Sequence, residues 1–296
     1  MKPTFLVLTD LSAAARRAAH FTGLLAAAVG GQLVLLYQKN AALFEPDMSM
    51  VTLPEDYYTQ EKHDTDVAMA ELARALPAPA SVATGGASLY DVLGDLIGLW
   101  QPQLLAMALA PEHDVLDHLL VNQALPVLRD SGLPLLLVPN GAAQNPALPK
   151  VVAIAADGEA FRLSAASLAL GPLLDSWAAD YCVVHVAPPD APNDPGLRLA
   201  EASVRRSGLL PAAPCTTYEV RRQPRSAGLV QAAADVQADV LVLMVRPRSL
   251  LASVFGRGVA AHVAHACPVP QLLLPTVEIP DSQPEQTPQH AGTLLY

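Results

Sequence analysis

Residues 236–246 read Val-Gln-Ala-Asp-Val-Leu-Val-Leu-Met-Val-Arg, and residues 100–110 read Trp-Gln-Pro-Gln-Leu-Leu-Ala-Met-Ala-Leu-Ala. Each leads, after the same interval, into a second apolar run: Val269-Pro-Gln-Leu-Leu-Leu-Pro275 and Leu133-Pro-Leu-Leu-Leu-Val-Pro139. Both pairs stand 136 positions apart, so no gap is needed between the runs. The beginnings match as well, Phe5-Leu-Val-Leu-Thr-Asp10 against Val152-Ala-Ile-Ala-Ala-Asp157. A period this long exceeds any solenoid unit and has the size of a whole small domain. The sequence predicts two copies of one domain, 1–140 and 149–276, with a mobile tail over 277–296.

A chain of 296 residues with 52% hydrophobic content can bury two cores. It holds no run of 18 or more apolar residues, so no membrane helix is expected. The four apolar residues before Asp10 are too few for a signal-peptide core. Cys182, Cys215 and Cys267 are odd in number and lack CxxC spacing, as free thiols in a reducing cytoplasm would be. The net charge of −10 argues against nucleic-acid binding, which depends on neutralising phosphates. Charge is unevenly shared: residues 1–150 carry −7, residues 151–275 are neutral with ten arginines and no lysine, and the rest carries −3.

Short apolar runs alternate with Ala/Leu-rich stretches. Strands are predicted near 4–9, 32–37, 81–85, 103–109 and 134–138, with helices near 12–29, 55–76, 88–99 and 115–130. Ser12 is the expected N-cap of the first helix and Gly30-Gly31 its end. The second half repeats the pattern with strands near 150–155, 180–186, 216–221, 239–245 and 270–274. Its helices are expected near 159–178, 195–208, 225–236 and 250–265. Continuous apolar strands are those buried on both faces. Strand–helix alternation gives parallel strands with right-handed crossovers. The fold class is therefore α/β: two tandem doubly wound domains, each a five-stranded parallel sheet with helices on both faces. Residues 139–149, rich in turn formers, form the linker.

An acid closing strand one (Thr9-Asp10-Leu11-Ser12, and Ala156-Asp157-Gly158-Glu159), a helix after strand four, and a last run of Cys-Pro-Val type (Ala266-Cys-Pro-Val-Pro-Gln-Leu-Leu-Leu) resemble the universal stress protein family. The resemblance covers both halves and implies the adenine nucleotide alpha hydrolase-like fold in tandem form. ATP-binding members carry Gly-x-x-Gly-(nine residues)-Gly-Ser/Thr after strand four, where bare backbone amides and a helix N-terminus hold phosphates. Aligned on Pro270, those glycines fall on Met244, Pro247 and Arg257, with Gly258 at the serine. In the first half they fall on Ala108, Pro111 and Val121, with Asn122 at the serine. All six glycines are missing, and proline also removes an N–H that the cradle would use. Ordinary ATP binding is not expected in either half.

Ligands of open α/β sheets sit beyond the carboxyl ends of the strands. In the second half Arg221, Arg222 and Arg225 follow strand three, and Arg246, Arg248 and Arg257 follow strand four, with Asp157 closing strand one. Guanidinium forks could replace the lost cradle and hold a small anion or nucleotide. The same arginines could equally be solvated surface. Asp10 and Asp157 either contact a ligand, as the resemblance implies, or cap the helices that follow. The loop Pro111-Glu-His113-Asp114-Val-Leu-Asp117-His118 places imidazoles and carboxylates four apart, but reads as an acidic helix start rather than a metal site. His185 reads as a satisfied histidine at the sheet end. No Gly-x-Ser-x-Gly elbow and no Gly-x-Gly-x-x-Gly after strand one occurs.

The sequence thus predicts a non-enzymatic cytoplasmic protein of the universal stress type, with no cofactor and no metal. The alternative is an enzyme or sensor using Arg246, Arg248 and Arg257 on a nucleotide or other small anion, although no general base stands beside them. A third reading has the apolar stretch 43–53 or the tail recruit a partner. Pro134-Leu-Leu-Leu-Val-Pro139 and Pro270-Gln-Leu-Leu-Leu-Pro275 read as edge strands, since proline is tolerated at edges. Pairing them removes two exposed apolar edges. The resemblance implies the same, so strand 134–138 is expected beside 270–274 about a pseudo-two-fold axis. The chain would form an intrachain pseudo-dimer, with further homodimerisation optional.

Overall fold

The computed structural model describes residues 2–37, 55–83, 89–109, 131–142, 146–188, 194–210, 214–246 and 259–277. The elements in the first half are β1 (Thr4–Thr9), α1 (Ala13–Ala28), β2 (Gln32–Tyr37), α2 (Glu55–Ala75), β3 (Ala80–Ala83), α3 (Leu89–Trp100), β4 (Leu104–Leu109) and β5 (Leu135–Pro139). The second half holds β6 (Val151–Ala155), β7 (Arg162–Leu163), α4 (Ala165–Leu168), α5 (Gly171–Ser176) and β8 (Asp180–Val186). It continues with α6 (Gly196–Arg206), β9 (Cys215–Val220), α7 (Arg225–Asp235), β10 (Val240–Val245), α8 (Val259–Ala266) and β11 (Gln271–Val277). The expected helix over 115–130, the acidic loop 111–118, the stretch 43–53 and residues 278–296 lie outside the described residues.

Ten of these strands form one sheet in the order β3-β2-β1-β4-β5-β11-β10-β6-β8-β9. Reading outward from the middle, each side runs through the same series of positions. The registers also correspond: Phe5 faces Leu33 and Leu104, as Val152 faces Tyr181 and Val240. All neighbours are parallel except at the centre, where β5 and β11 pair antiparallel. Leu136 faces Leu272 there, its counterpart 136 positions on, while Leu135 faces Leu273 and Leu137 faces Gln271. Those two flanking pairs exchange under the same shift, as an isologous contact about a two-fold axis requires. The two proline-flanked edges therefore meet each other, as their sequence predicts. The outer edges left to solvent are the four-residue β3 and the partly exposed β9.

Alternation along the strands divides the core between the two faces. On one, Leu6, Leu105, Leu135, Leu273 and Leu241 pack with α3, α7 and α8. On the other, Phe5, Leu104, Leu136, Leu272 and Val240 pack with α1, α2, α5 and α6. Each cluster crosses the β5–β11 seam, so the buried layers are continuous through the molecule.

Local signals explain most boundaries. Ser12 Oγ accepts the Ala15 N–H at 3.2 Å at the start of α1. At its end Gly30 (φ 63°) follows, with Gly31 N–H on the Ala26 carbonyl at 2.8 Å and Gly30 N–H on Ala27 at 3.1 Å. That is a Schellman ending, which favours glycine. Gln101 and Gln237, 136 positions apart after α3 and α7, take the same left-handed turn (φ 45° and 54°) without being glycine.

One expectation fails. Residues 159–178 do not form a single helix but β7, α4 and α5. β11 runs to Val277, three residues past its expected end, and its last residues pair with β7 (Thr276 with Leu163, Val277 with Arg162). Ser164 caps α4 through Ser167 N–H, and Ser167 Oγ donates to the Pro275 carbonyl at 2.9 Å. The Gly171-Pro172 step then starts α5, since proline fits only a helix's first turn. Tyr181 Oη donates to the Leu174 carbonyl at 2.6 Å, and burial pushes its phenol up to about 12.

Candidate functional site

A cavity of about 560 Å³ opens beyond the carboxyl ends of β6, β8 and β10. The order β8-β6-β10 places it where the chain turns from one side of β6 to the other, the usual ligand position in open α/β sheets. The volume falls within the 300–1,000 Å³ range typical of small-molecule sites. Apolar side chains make the floor: Phe161, Val186, Leu229, Leu243, Val245 and Val259. Ionisable groups make the walls: Asp157, Glu159, His185, Asp194, Arg225 and Arg246.

The wall next to β6 begins with a turn. Gly158 has φ 82°, and Asp157 Oδ1 accepts the Glu159 N–H at 3.1 Å. Asp10, at the same place after β1, accepts the Ser12 N–H at 2.9 Å. Each aspartate thus ties down its own turn. Asp157 also receives Arg246, whose Nη2 lies 3.3 Å from Oδ2, while Glu159 Oε2 takes the same nitrogen at 2.8 Å. Arg246 therefore reaches from the end of β10 to the end of β6, and its charge is already answered by two carboxylates.

The opposite wall is held by His185, only 3% exposed. Its Nδ1 stands 3.0 Å from the Ala156 carbonyl and its Nε2 2.9 Å from Asp194 Oδ2. Both ring nitrogens are thus engaged, one with a backbone carbonyl and the other with a carboxylate. Asp194 Oδ1 accepts the Gly196 N–H at 3.0 Å, fixing the start of α6. The His185 hydrogen bond, reinforced by that N–H and the Arg221 charge, holds the Asp194 carboxyl below the ordinary carboxylate range. A side chain at Gly196 would collide with His185 and Asp194, and one at Gly158 would come 3.0 Å from Gly196 Cα. Glycine at both positions lets the turn after β6 pack directly on α6.

The residues singled out in the sequence are only partly assembled. Asp157, Arg225 and Arg246 lie on the cavity wall. Arg221 does not; it pairs with Glu219 at 2.6 Å. Arg222 is exposed at a left-handed turn (φ 61°). Asp10 belongs to the other half's turn. Arg248, Arg257 and Gly258 lie outside the described residues. Glu159 and Asp194 were not signalled, because their roles depend on a close approach of two turns that local sequence does not encode. Among the described residues no group of three His, Cys, Asp or Glu side chains could hold a metal, and no helix is long and apolar enough to cross a membrane.

No protein-family model matches the chain, and no curated protein matches it. Solved structures do. A universal stress protein from Archaeoglobus fulgidus DSM 4304 superposes with TM-score 0.60 at 18% identity, covering 92% of this chain and 96% of that one. A functionally unknown protein from Pseudomonas aeruginosa PAO1 gives 0.54 at 15% identity over 93% of each chain. The chain has the fold of the universal stress proteins, an α/β architecture of the adenine nucleotide alpha hydrolase-like kind.

Proposed function

We propose that the chain is a non-enzymatic, cytoplasmic stress-response protein: two tandem units, 1–140 and 149–276, joined into an intrachain pseudo-dimer, with a small-molecule crevice in the second. One observation carries this reading. Five of the six ionisable side chains on the described walls of the crevice at the β6–β10 switch pair with one another, and Met244 stands where a phosphate cradle would begin. Pro247 and Arg257 complete the loss of glycine in the sequence. Polyphosphate binding needs bare amides and spare cations. The described walls supply few of either.

The same pairing supports the non-enzymatic reading. A general base must be free to reach a substrate proton. His185 has both nitrogens engaged, Asp194 both oxygens, and Asp157 is shared between its own turn and Arg246. The crevice is built to hold rather than to transform.

The test is a thermal-shift titration with ATP, AMP and inorganic phosphate, after native mass spectrometry of the purified protein for any retained molecule. A site filled at 100 times its dissociation constant stabilises by about 2.7 kcal/mol. No ATP-specific stabilisation is expected. A saturable ATP shift, or turnover of a phosphorylated compound that Arg246→Ala abolishes, would replace this reading with that of a nucleotide enzyme or sensor.

A further inference from the structure

We propose that the crevice takes a small monocarboxylate with an apolar body, and that Arg225 recognises its charge; this rests on the reading of the crevice as a ligand site. The argument is one of elimination. Five of the six ionisable side chains on the described walls answer one another: Asp157 and Glu159 hold Arg246, and His185 holds Asp194. Even the Thr276 hydroxyl is spent, donating to the Val245 carbonyl at 3.2 Å. Arg225 alone has no hydrogen-bond or ion-pair partner among the described residues, although it lines the cavity.

A ligand that enters without breaking existing contacts therefore meets one unspent guanidinium above an apolar floor. Arg225 and Leu229 are four apart on α7 and share a face, so the charge and one apolar lining residue are about one helical turn apart. A guanidinium matches a carboxylate in a bidentate fork. Leu243, Val245, Val259 and Phe161 then receive the rest of the molecule. More than one negative charge on the ligand would face Asp157, Glu159 and Asp194, with no further unpaired cation among the described residues of these walls. A neutral ligand would leave Arg225 unused. One carboxylate and a hydrocarbon body satisfy the wall as it stands.

The experiment is methyl-resolved NMR of the full-length protein labelled at leucine and valine, titrated separately with 3-phenylpropionate, its neutral analogue 3-phenylpropanol, and ATP. The carboxylate is expected to shift the Leu229, Leu243 and Val245 methyls saturably. The alcohol is expected to bind about 10- to 100-fold more weakly, since a hydrogen bond to a charged group carries that range. Arg225→Ala and Arg225→Gln should each lose the same factor for the carboxylate, while Arg222→Ala leaves it unchanged. An alcohol that binds as well as the acid, an affinity insensitive to Arg225, or tighter binding of ATP at these methyls overturns the carboxylate assignment and leaves the ligand crevice standing. Silence of these methyls to all three probes removes both.

Discussion

Replacing Leu272 with alanine strikes the centre of the molecule. Leu272 and Leu136 face each other across the antiparallel seam, each 1% exposed, within a core layer that runs from α1 to α6. A buried Leu→Ala change removes transfer free energy and leaves a cavity, about 2.7 to 5 kcal/mol in rigid cores. The continuous sheet on both sides limits collapse, so a loss of about 3 kcal/mol is expected for either residue. Pseudo-two-fold symmetry makes the two single losses similar. Because the residues touch, the double variant should depart from additivity by about 0.5 kcal/mol or more. The two tryptophans make the assay specific: Trp100 ends α3 in the first half, and Trp177 follows α5 in the second. Single-tryptophan versions, Trp177→Phe and Trp100→Phe, let guanidinium unfolding be followed in each half separately. If the seam joins the halves, Leu272→Ala shifts both transitions together. A Trp100 transition that ignores Leu272→Ala, or two well-separated transitions in the wild type, would refute the idea that the core acts as one body.

Tyr181→Phe should cost about 1 kcal/mol by removing the shorter of two hydrogen bonds to the Leu174 carbonyl, which keeps the Trp177 N–H at 3.2 Å. The folded phenol titrates near 12 and the unfolded one near 10, so stability is intact below pH 10 and falls as pH rises toward 12, by on the order of 2 kcal/mol. Chemical denaturation across that range should show this loss in the wild type and its absence in the variant. Gln237→Gly relieves a left-handed residue at the end of α7 and should raise stability by about 0.5 to 1 kcal/mol, readable in the denaturation midpoint. Asp194 titrates lower when folded than unfolded, so its contribution is complete above about pH 4 and is lost as pH falls through the folded value. Asp194→Asn should therefore flatten the acid limb of the stability profile, measured against wild type from pH 5 downward.

The seam was legible because its signal is written twice: two apolar runs bracketed by proline, at one offset, read as edges, and paired edges hide each other. The ends of α1 were legible for a local reason, Ser12 and Gly30-Gly31 carrying their own hydrogen bonds. Residues 159–178 were not, because Ala/Leu composition promises helix while the partner that decides the matter, the extension of β11 to Val277, lies far away in sequence. The crevice shows the same division. Strand ends point to Asp157 and Arg246, both of which line the cavity, since topology alone fixes where a doubly wound sheet opens. The partners were hidden: Arg246 meets a carboxylate 89 residues away, and His185 meets Asp194 only because Gly158 and Gly196 let two turns touch. Six arginines read as one cluster thus divide, with Arg221 turned to Glu219 outside the cavity and Arg225 on its wall.

The measurement that bears most directly on a crevice without a phosphate cradle is equilibrium dialysis of the full-length protein against labelled ATP, with magnesium, at millimolar concentration. Far less than one ATP per chain is expected, with no change on Arg246→Ala. One ATP bound per chain at micromolar affinity, displaced by unlabelled ATP, would contradict the account.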